Sequence, residues 1–514
     1  MPSSISRPLV AALLVFALRG ASARAQSDWP PPALVLSGTA DHYAPLGHFE
    51  LHAFTVEIRG MVAGRAGYVS AFPVDRYGAT LDAGVSLSPV ARLGIRIESD
   101  RRRTVSMLAE VEADLGVGAW TENPILAGTT MPDAEPLVFQ ARKAYARLSL
   151  GNVFHFGAGL MTSHWGMGLV SNDGAHGWEP GSARFSDPRS GSRVLRGFVG
   201  TGPLTRAGLV ATLAVDRVVG DHTLLPGDEA VQFIGALLLG FEKQTQGGVY
   251  IVHRRQQAAD GNDFNVTVFD AAIRSTIPLA RHLQLTLEGE AVAVTGNSTL
   301  APTPEVPRHD VLQIGAAARA TLSANAVGAV VDFLYATGDG NFDDRRQTAF
   351  KADPNYEMGL LLFRYVQAAQ TGRASVTAGD PNLVGVAPQN IDRFATRGGA
   401  SNTVLVFPRF YVRPVAGLEF YGGPLIAFAA SANADPLNSR LAGGGPRNAL
   451  DGRPGNYYGT EMDLGLRFRT LLRGTELTVG AEWGLLSPGS ALRTADGGVM
   501  GMVQGGRFII QYRL

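Results

Sequence analysis

Three groups of residues in this 514-residue chain have the types and spacing to do chemistry. His48-x-Glu50-x-His52 sets two imidazoles and a carboxylate on one face of an extended segment, because side chains alternate with period two. Those ligands suit a divalent metal, and equally the polar face of a first strand. Asp339-x-Asn341-x-Asp343 offers oxygen atoms at alternate positions with Gly340 among them, as calcium loops do. Phe350 stands where an EF-hand loop carries its Glu, which excludes that fold and leaves a structural Ca2+ in an acidic loop, or a solvated turn. Ser163-His164 with Asp173 is the nearest approach to a hydrolytic set, but neighbouring strand residues point to opposite faces, which argues against a dyad. No G-x-S-x-G, H-E-x-x-H or G-x-x-x-x-G-K-[ST] pattern is present, and there is no cysteine for thiol catalysis, thiolate metal sites or disulfides. The chain does not read as an enzyme.

A fourth set is larger and does a different kind of work. Arg96 and Glu98 stand opposite Glu110, Glu112 and Asp114 across a polar turn. Lys143 and Arg147 share a face with Tyr145, Arg409 shares one with Arg413, and Glu461, Asp463, Arg467 and Arg469 share another. Opposed charges across a water-filled pore set a transverse field and select solutes by size and charge. Placed against lipid, each Arg or Lys would cost about 2–4 kcal/mol at the midplane, so these residues are expected to face inward. The plainer reading is that they form cross-strand pairs that stiffen a wall, worth about 0.2–1 kcal/mol each, and both can hold at once.

The elements that would position them are strands. From Arg92 to Val117 a hairpin alternates Leu93, Ile95 and Ile97 with charged residues, turns at Asp100-Arg101-Arg102-Arg103, and alternates Val105, Met107, Ala109, Val111, Ala113, Leu115 and Val117 with Glu110, Glu112 and Asp114. The pattern recurs through Leu283–Glu288, Leu312–Leu322, Glu461–Arg469 and Leu477–Leu485. A soluble sandwich also alternates, with its polar face in bulk water. Long runs joined by tight charged turns fit a barrel with lipid outside and water inside better. The fold class expected is all-β: one transmembrane antiparallel barrel of about 18 strands, with 16 to 22 compatible, wide enough for an aqueous interior. Long connections near 119–136, 171–192, 338–402 and 430–456 are expected at the extracellular side or folded into the lumen. Within 338–402, Met358, Leu361, Leu362 and Tyr365 recur at helical spacing, although Leu360–Phe363 also reads as a lipid-facing strand.

Both ends of the sequence agree with export to an outer membrane. Phe508, Ile510, Tyr512 and Leu514 alternate with Arg507, Gln511 and Arg513, as a closing strand would, and resemble the C-terminal signal by which outer-membrane barrels are recognised for assembly. Arg7, the apolar run Leu9–Leu18 and Ala21-Ser22-Ala23-Arg24-Ala25 have the form of a cleaved signal peptide, too short to span a membrane. The expected division is signal peptide 1–25, Pro-rich leader 26–47 and barrel 48–514. The full sequence is formally neutral, and loss of Arg7, Arg19 and Arg24 leaves 42 basic against 45 acidic residues, which gives no basis for nucleic-acid binding.

Several segments carry a family resemblance. Arg142-Lys143-Ala144-Tyr145-Ala146-Arg147-Leu148 is followed by Gly157-x-Gly159 and His164-Trp165-Gly166-Met167-Gly168. Gly338-Asp339-Gly340-Asn341-Phe342-Asp343-Asp344 closes the strand Val327–Tyr335, and Gly459-Thr460-Glu461-Met462-Asp463-Leu464 leads to Ser487-Pro488-Gly489. Together with the terminal strand these resemble wide outer-membrane barrels of the porin and alginate-export type. The resemblance implies a single barrel with a charged lumen that passes or exports a polar solute. The expected partners are outer-membrane lipid, the barrel assembly machinery and a small polar or anionic solute, with no cofactor beyond the Ca2+ considered above. Two alternatives stand beside the channel: a plugged structural or surface-display barrel that binds a partner through its long loops, and an alginate-like polysaccharide exporter.

Overall fold

The structure is a computed structural model and describes residues 47–51, 53–82, 84–99, 104–116, 138–151, 153–175, 183–187, 191–241, 243–301, 305–324, 326–378, 391–472 and 475–513. The expected signal peptide, most of the leader, the 119–136 connection, His52 and Leu514 lie outside them.

Eighteen long strands form one closed antiparallel sheet. In chain order they are β1 Phe54–Val69, β2 Val90–Ser99, β3 Val105–Gly116, β4 Val138–Leu150, β5 Phe154–Thr162 and β6 Arg193–Leu204. Then follow β7 Leu209–Gly220, β8 Glu229–Leu239, β9 Thr245–Gln257, β10 Asp263–Ala280, β11 Leu283–Ser298 and β12 His309–Ala324. The last six are β13 Val327–Ala336, β14 Thr403–Val415, β15 Leu418–Phe428, β16 Tyr457–Leu472, β17 Thr475–Pro488 and β18 Val503–Arg513. Each pairs with its sequence neighbour, and β18 closes on β1 in the register Met61↔Arg513 to Val69↔Gly505. Closure leaves no free edge, which is the condition for crossing a membrane with strands.

The alternation read from the sequence sets which face goes where. On β3, Val105, Met107, Val111 and Leu115 are exposed on the outer surface while Ser106, Leu108, Glu110, Glu112 and Asp114 are buried inside. On β16, Met462, Leu464, Leu466 and Phe468 point out and Glu461, Asp463 and Arg467 point in. Phe508 and Ile510 of β18 join the outer belt, and Tyr512 there bonds Thr475 at 2.8 Å. This apolar belt over a charged interior is that of an outer-membrane barrel.

Short connections, such as 281–282 and 416–417, lie at one rim, and all the longer ones lie at the other. By the rule that periplasmic turns are short and extracellular loops long, the first rim is periplasmic. Two of the long connections turn inward: residues 163–175 and 183–187 between β5 and β6, and 337–378 and 391–402 between β13 and β14. The second contains the expected helix, at a later position than the spacing suggested. A wide turn spans Leu362–Gln367 and continues as helix α1, Ala368–Ala378, while Met358 lies ahead of it. Leu360, Leu361, Leu362, Phe363 and Val366 are buried within the barrel, so the strand alternative for Leu360–Phe363 is not what forms. A short helix, α2 Pro436–Leu441, is capped by Asp435, which accepts from Leu437 N and Asn438 N.

Candidate functional site

The lumen narrows where the two inward segments meet the wall, and wall carboxylates fix them there by accepting backbone N–H groups. Glu461 accepts from Leu360, Leu361 and Leu362 N at 2.5, 2.8 and 2.8 Å, so one side chain orders the start of the wide turn. Glu290 does the same for the other segment, accepting from Met167 N and, at 3.1 Å, from Leu169 N. The segments also touch each other: Asp353 N donates to Leu169 O at 2.8 Å and Asp187 N to Glu357 at 2.5 Å.

Charged side chains fill the rest of the waist in linked groups. At β2–β4, Arg92 forks onto Asp114 at 2.6 and 2.8 Å, Arg142 donates to Glu112 at 2.8 Å, and Lys143 and Tyr145 donate to Glu110 at 2.7 and 2.9 Å. A register shift between Glu112 and Ala113 lets the adjacent residues Arg142 and Lys143 both point inward. Strict alternation would have put Arg142 outside, which is why the sequence pattern selected Lys143 alone. Arg142 also donates to Asp173 O at 2.8 Å and so holds the first inward segment.

Across the barrel, Arg409 pairs with Asp332, which also accepts from Arg319 at 2.6 Å, and Arg409 donates to Ala183 O at 2.9 Å. Glu482 collects Arg467 at 2.9 Å, Arg507 at 2.5 Å and the Tyr421 hydroxyl. Arg507 lies 3.4 Å from Glu357, which also pairs with Arg364, and Asp187 pairs with Arg65. Most of these charged groups are tolerated this deep because they are matched by charge and hydrogen bonds; Asp463, fully buried beside the Glu461 carboxylate, is the exception.

The sequence-selected lumen residues therefore all face inward, in two settings. Glu110, Glu112, Asp114, Lys143, Arg409, Glu461, Asp463 and Arg467 belong to the buried waist. Arg96, Glu98, Arg147, Arg413 and Arg469 lie nearer the periplasmic mouth, where Arg96 pairs with Glu98 at 2.9 Å and Arg413 with Glu419 at 2.8 Å. Arg65, Arg142, Arg196, Asp216, Glu290, Asp332, Glu482 and Arg507 are waist residues that the pattern did not single out. Isolated charges in otherwise apolar strands, such as Asp216 with its partner Arg196 at 2.7 Å, were the available signal.

The candidate chemistry groups take part in hydrogen bonds and ion pairs within the chain. Asp339 accepts from Asn341 N and Thr348 N, Asn341 accepts from Asp343 N, and Asp343 pairs with Arg440 at 2.7 Å. Among the described residues no group of three or more His, Asp or Glu could hold a metal ion. Ser163 Oγ accepts from Arg196 and Ser171, and His164 lies 3.6 Å from Asp173.

On the extracellular side of the waist a chamber with about 1820 Å³ of empty space, part of it continuous with solvent, lies between β6–β12 and the second inward segment. Val194, Val252, Val266, Val268 and Val294 line its strand wall, beside Gln232, Arg254, Gln256 and Gln313. Below it Trp165 stacks on Tyr250 with ring centroids 5.1 Å apart, over the space left by Gly248. Outside the strands, burial raises the pKa of Asp339 to about 6 and that of the α2 cap Asp435 to about 6. Burial, with Arg397 and Arg393 beside it, lowers the Lys351 pKa to about 7.

A closed barrel with an apolar belt, inward loops and a charged waist defines the fold of a wide outer-membrane β-barrel. No protein-family model matches the chain, and no curated protein matches it. Among solved structures it is similar to Pseudomonas aeruginosa OpdL, at 9% identity over 89% of this chain and 98% of that chain, with a TM-score of 0.50. Acinetobacter baumannii OccAB1 follows at 11% identity, 89% and 96% coverage and TM-score 0.49, and Pseudomonas aeruginosa OccK2 (OpdF) in complex with glucuronate at 10%, 89% and 98%, and 0.48. At these identities the likeness is one of fold; it does not single out an alginate exporter.

Proposed function

We propose that this barrel is a selective diffusion channel for small polar or anionic solutes, which are sorted at the charged waist. The observation that carries the reading is the waist itself, where charged side chains from facing walls converge on two inward segments whose backbone they hold. A wall meant only to be rigid needs cross-strand pairs, whereas here Arg142, Arg409 and Arg467 also reach loop carbonyls at Asp173, Ala183 and Arg184. An anionic preference is supported by the lumen-facing charges within about six residues of the periplasmic turns. Arg59, Arg96, Arg147, Arg274, Arg413, Arg469 and Arg513 stand there against Glu57, Glu98, Glu288, Glu419 and Glu476. Excess arginine in a low-dielectric funnel concentrates anions.

The test is single-channel recording of the refolded protein in a planar bilayer under a KCl gradient. Discrete steps with a reversal potential on the chloride side are expected. Well-folded, heat-modifiable protein without conductance would favour the plugged, loop-binding barrel, for which the densely hydrogen-bonded waist is the specific observation.

A further inference from the structure

The extracellular chamber does not share the chemistry of the waist. Val252, Val266, Val268 and Val294 occupy lumen-facing positions, where a water-filled pore would carry polar groups, and Phe350 and Phe394 of the inward segment complete the lining. Charged groups around it are engaged within the chain, Arg397 through the His222 carbonyl at 3.4 Å. Arg254 donates to Asp221 at 2.5 Å, Arg393 forks onto Asp228 at 2.5 and 2.8 Å, and Lys351 donates to Arg393 O at 2.6 Å. Gln232 and Gln313 add neutral amide groups on the strand wall.

Resting on the channel reading above, we propose that this chamber is a binding site for an uncharged, apolar-bodied solute of ring size, whose one or two polar groups meet the glutamine amides. The valine wall and the two phenylalanines favour an apolar body by removing its surface from water. An anion bound there would have to take a cation from its existing partner or be buried unpaired, and both are unfavourable. Lys351 does not supply the missing charge: with a pKa of about 7 it is protonated in only part of the population at neutral pH, and its ammonium is directed at backbone carbonyls. The channel would thus sort solutes twice, by apolar shape above the waist and by charge at it.

Isothermal titration of the full-length protein in detergent with 2-naphthol and with 2-naphthoate at pH 7 tests the proposal. The neutral probe is expected to bind at least tenfold more tightly than the carboxylate. Val268→Gln should weaken 2-naphthol at least tenfold against the unsubstituted protein in the same detergent, which removes micelle partitioning from the comparison. Val294→Gln, on the facing residue of the adjacent strand, should do the same and serves if the first variant does not fold. Equal or tighter binding of 2-naphthoate, no binding of either probe, or two glutamine variants that bind like the parent would each overturn it. The channel reading is judged separately by KCl conductance without probe. A conducting protein that ignores 2-naphthol sinks only the chamber, and a binding protein that does not conduct sinks only the channel.

Discussion

The two sides of the lumen wall share an outer surface and differ inside. From β1 to β4 and from β13 to β18 the inner face carries Arg92, Glu112, Asp332, Arg409, Glu461 and Glu482, each fixed by directional bonds, and Glu461, Arg409 and Arg142 also reach the inward segments. From β7 to β11 the extracellular half of the inner face carries Val218, Ile234, Val252, Val266 and Val294, all buried, with Asp216, Arg254 and Gln256 among them. Charged groups need partners in place, so the charged side is filled completely and reads as a latch. Apolar contacts have no direction, so the valine side accepts Trp165 at one level and leaves a chamber at the next. The charged latch is thus densest on one side of the barrel, with Glu290 and the Arg196–Asp216 pair carrying it across to the other, where the chamber stays open.

The strongest way to break this division is Glu461→Ala. Three buried amides lose their acceptor, at about 1–3 kcal/mol for each one left unsatisfied. The inward segment is expected to detach and single-channel KCl conductance to rise at least twofold, with the barrel still heat-modifiable. Unchanged conductance would show that the segment is not latched from the charged side.

A matched pair of substitutions sharpens the comparison. Arg409→Ala leaves Asp332 with Arg319 alone and removes one cation from the waist; breaking such a buried pair costs about 3–5 kcal/mol. It should lower the melting midpoint and move the reversal potential toward cations. Val252→Ala, on the opposite side, should leave the reversal potential where it is. If both variants shift it alike, charge selection is not confined to one wall.

The smallest effect is one of pH, in the loops above the waist. Asp339 and Asp435 have folded pKa values of about 6, above the ordinary carboxylate value, so the folded protein holds protons that the unfolded chain releases. Their contribution is complete below about pH 4 and is lost as pH rises through 6. Lys351 has the opposite history: its lowered pKa costs stability below about pH 7, and the cost is relieved as pH climbs toward the ordinary lysine value. Hydrogen exchange around 435–441, corrected for intrinsic rates, should therefore be slower at pH 5 than at pH 7.5. Asp435→Asn should remove most of that difference; a variant that keeps it would assign the effect elsewhere.

The barrel was legible in the sequence because period-two alternation is a local property. Leu93, Ile95 and Ile97 against Arg92, Arg96 and Glu98 can be satisfied only by a two-sided sheet with different surroundings on each face. The charged half of the site was legible for the same reason. The valine half was not, since runs such as Leu209–Val215 and Phe233–Leu239 are apolar on both faces and carry no sign of which one looks inward. Arg142 was hidden by the register shift that turns it into the lumen, whereas the helix in the inward connection after β13 was legible from its spacing, though not its exact position.

What the sequence alone determined is thus the wall: strands, their outer belt, and the inward direction of residues such as Glu112, Lys143 and Glu461. The tertiary structure decided what the wall encloses. Which carboxylate receives the amides of Leu360–Leu362, which arginine reaches Ala183, and where a chamber stays open depend on contacts between residues about a hundred or more positions apart. No periodicity along one strand encodes the closure of a ring, and closure is what brings those residues together.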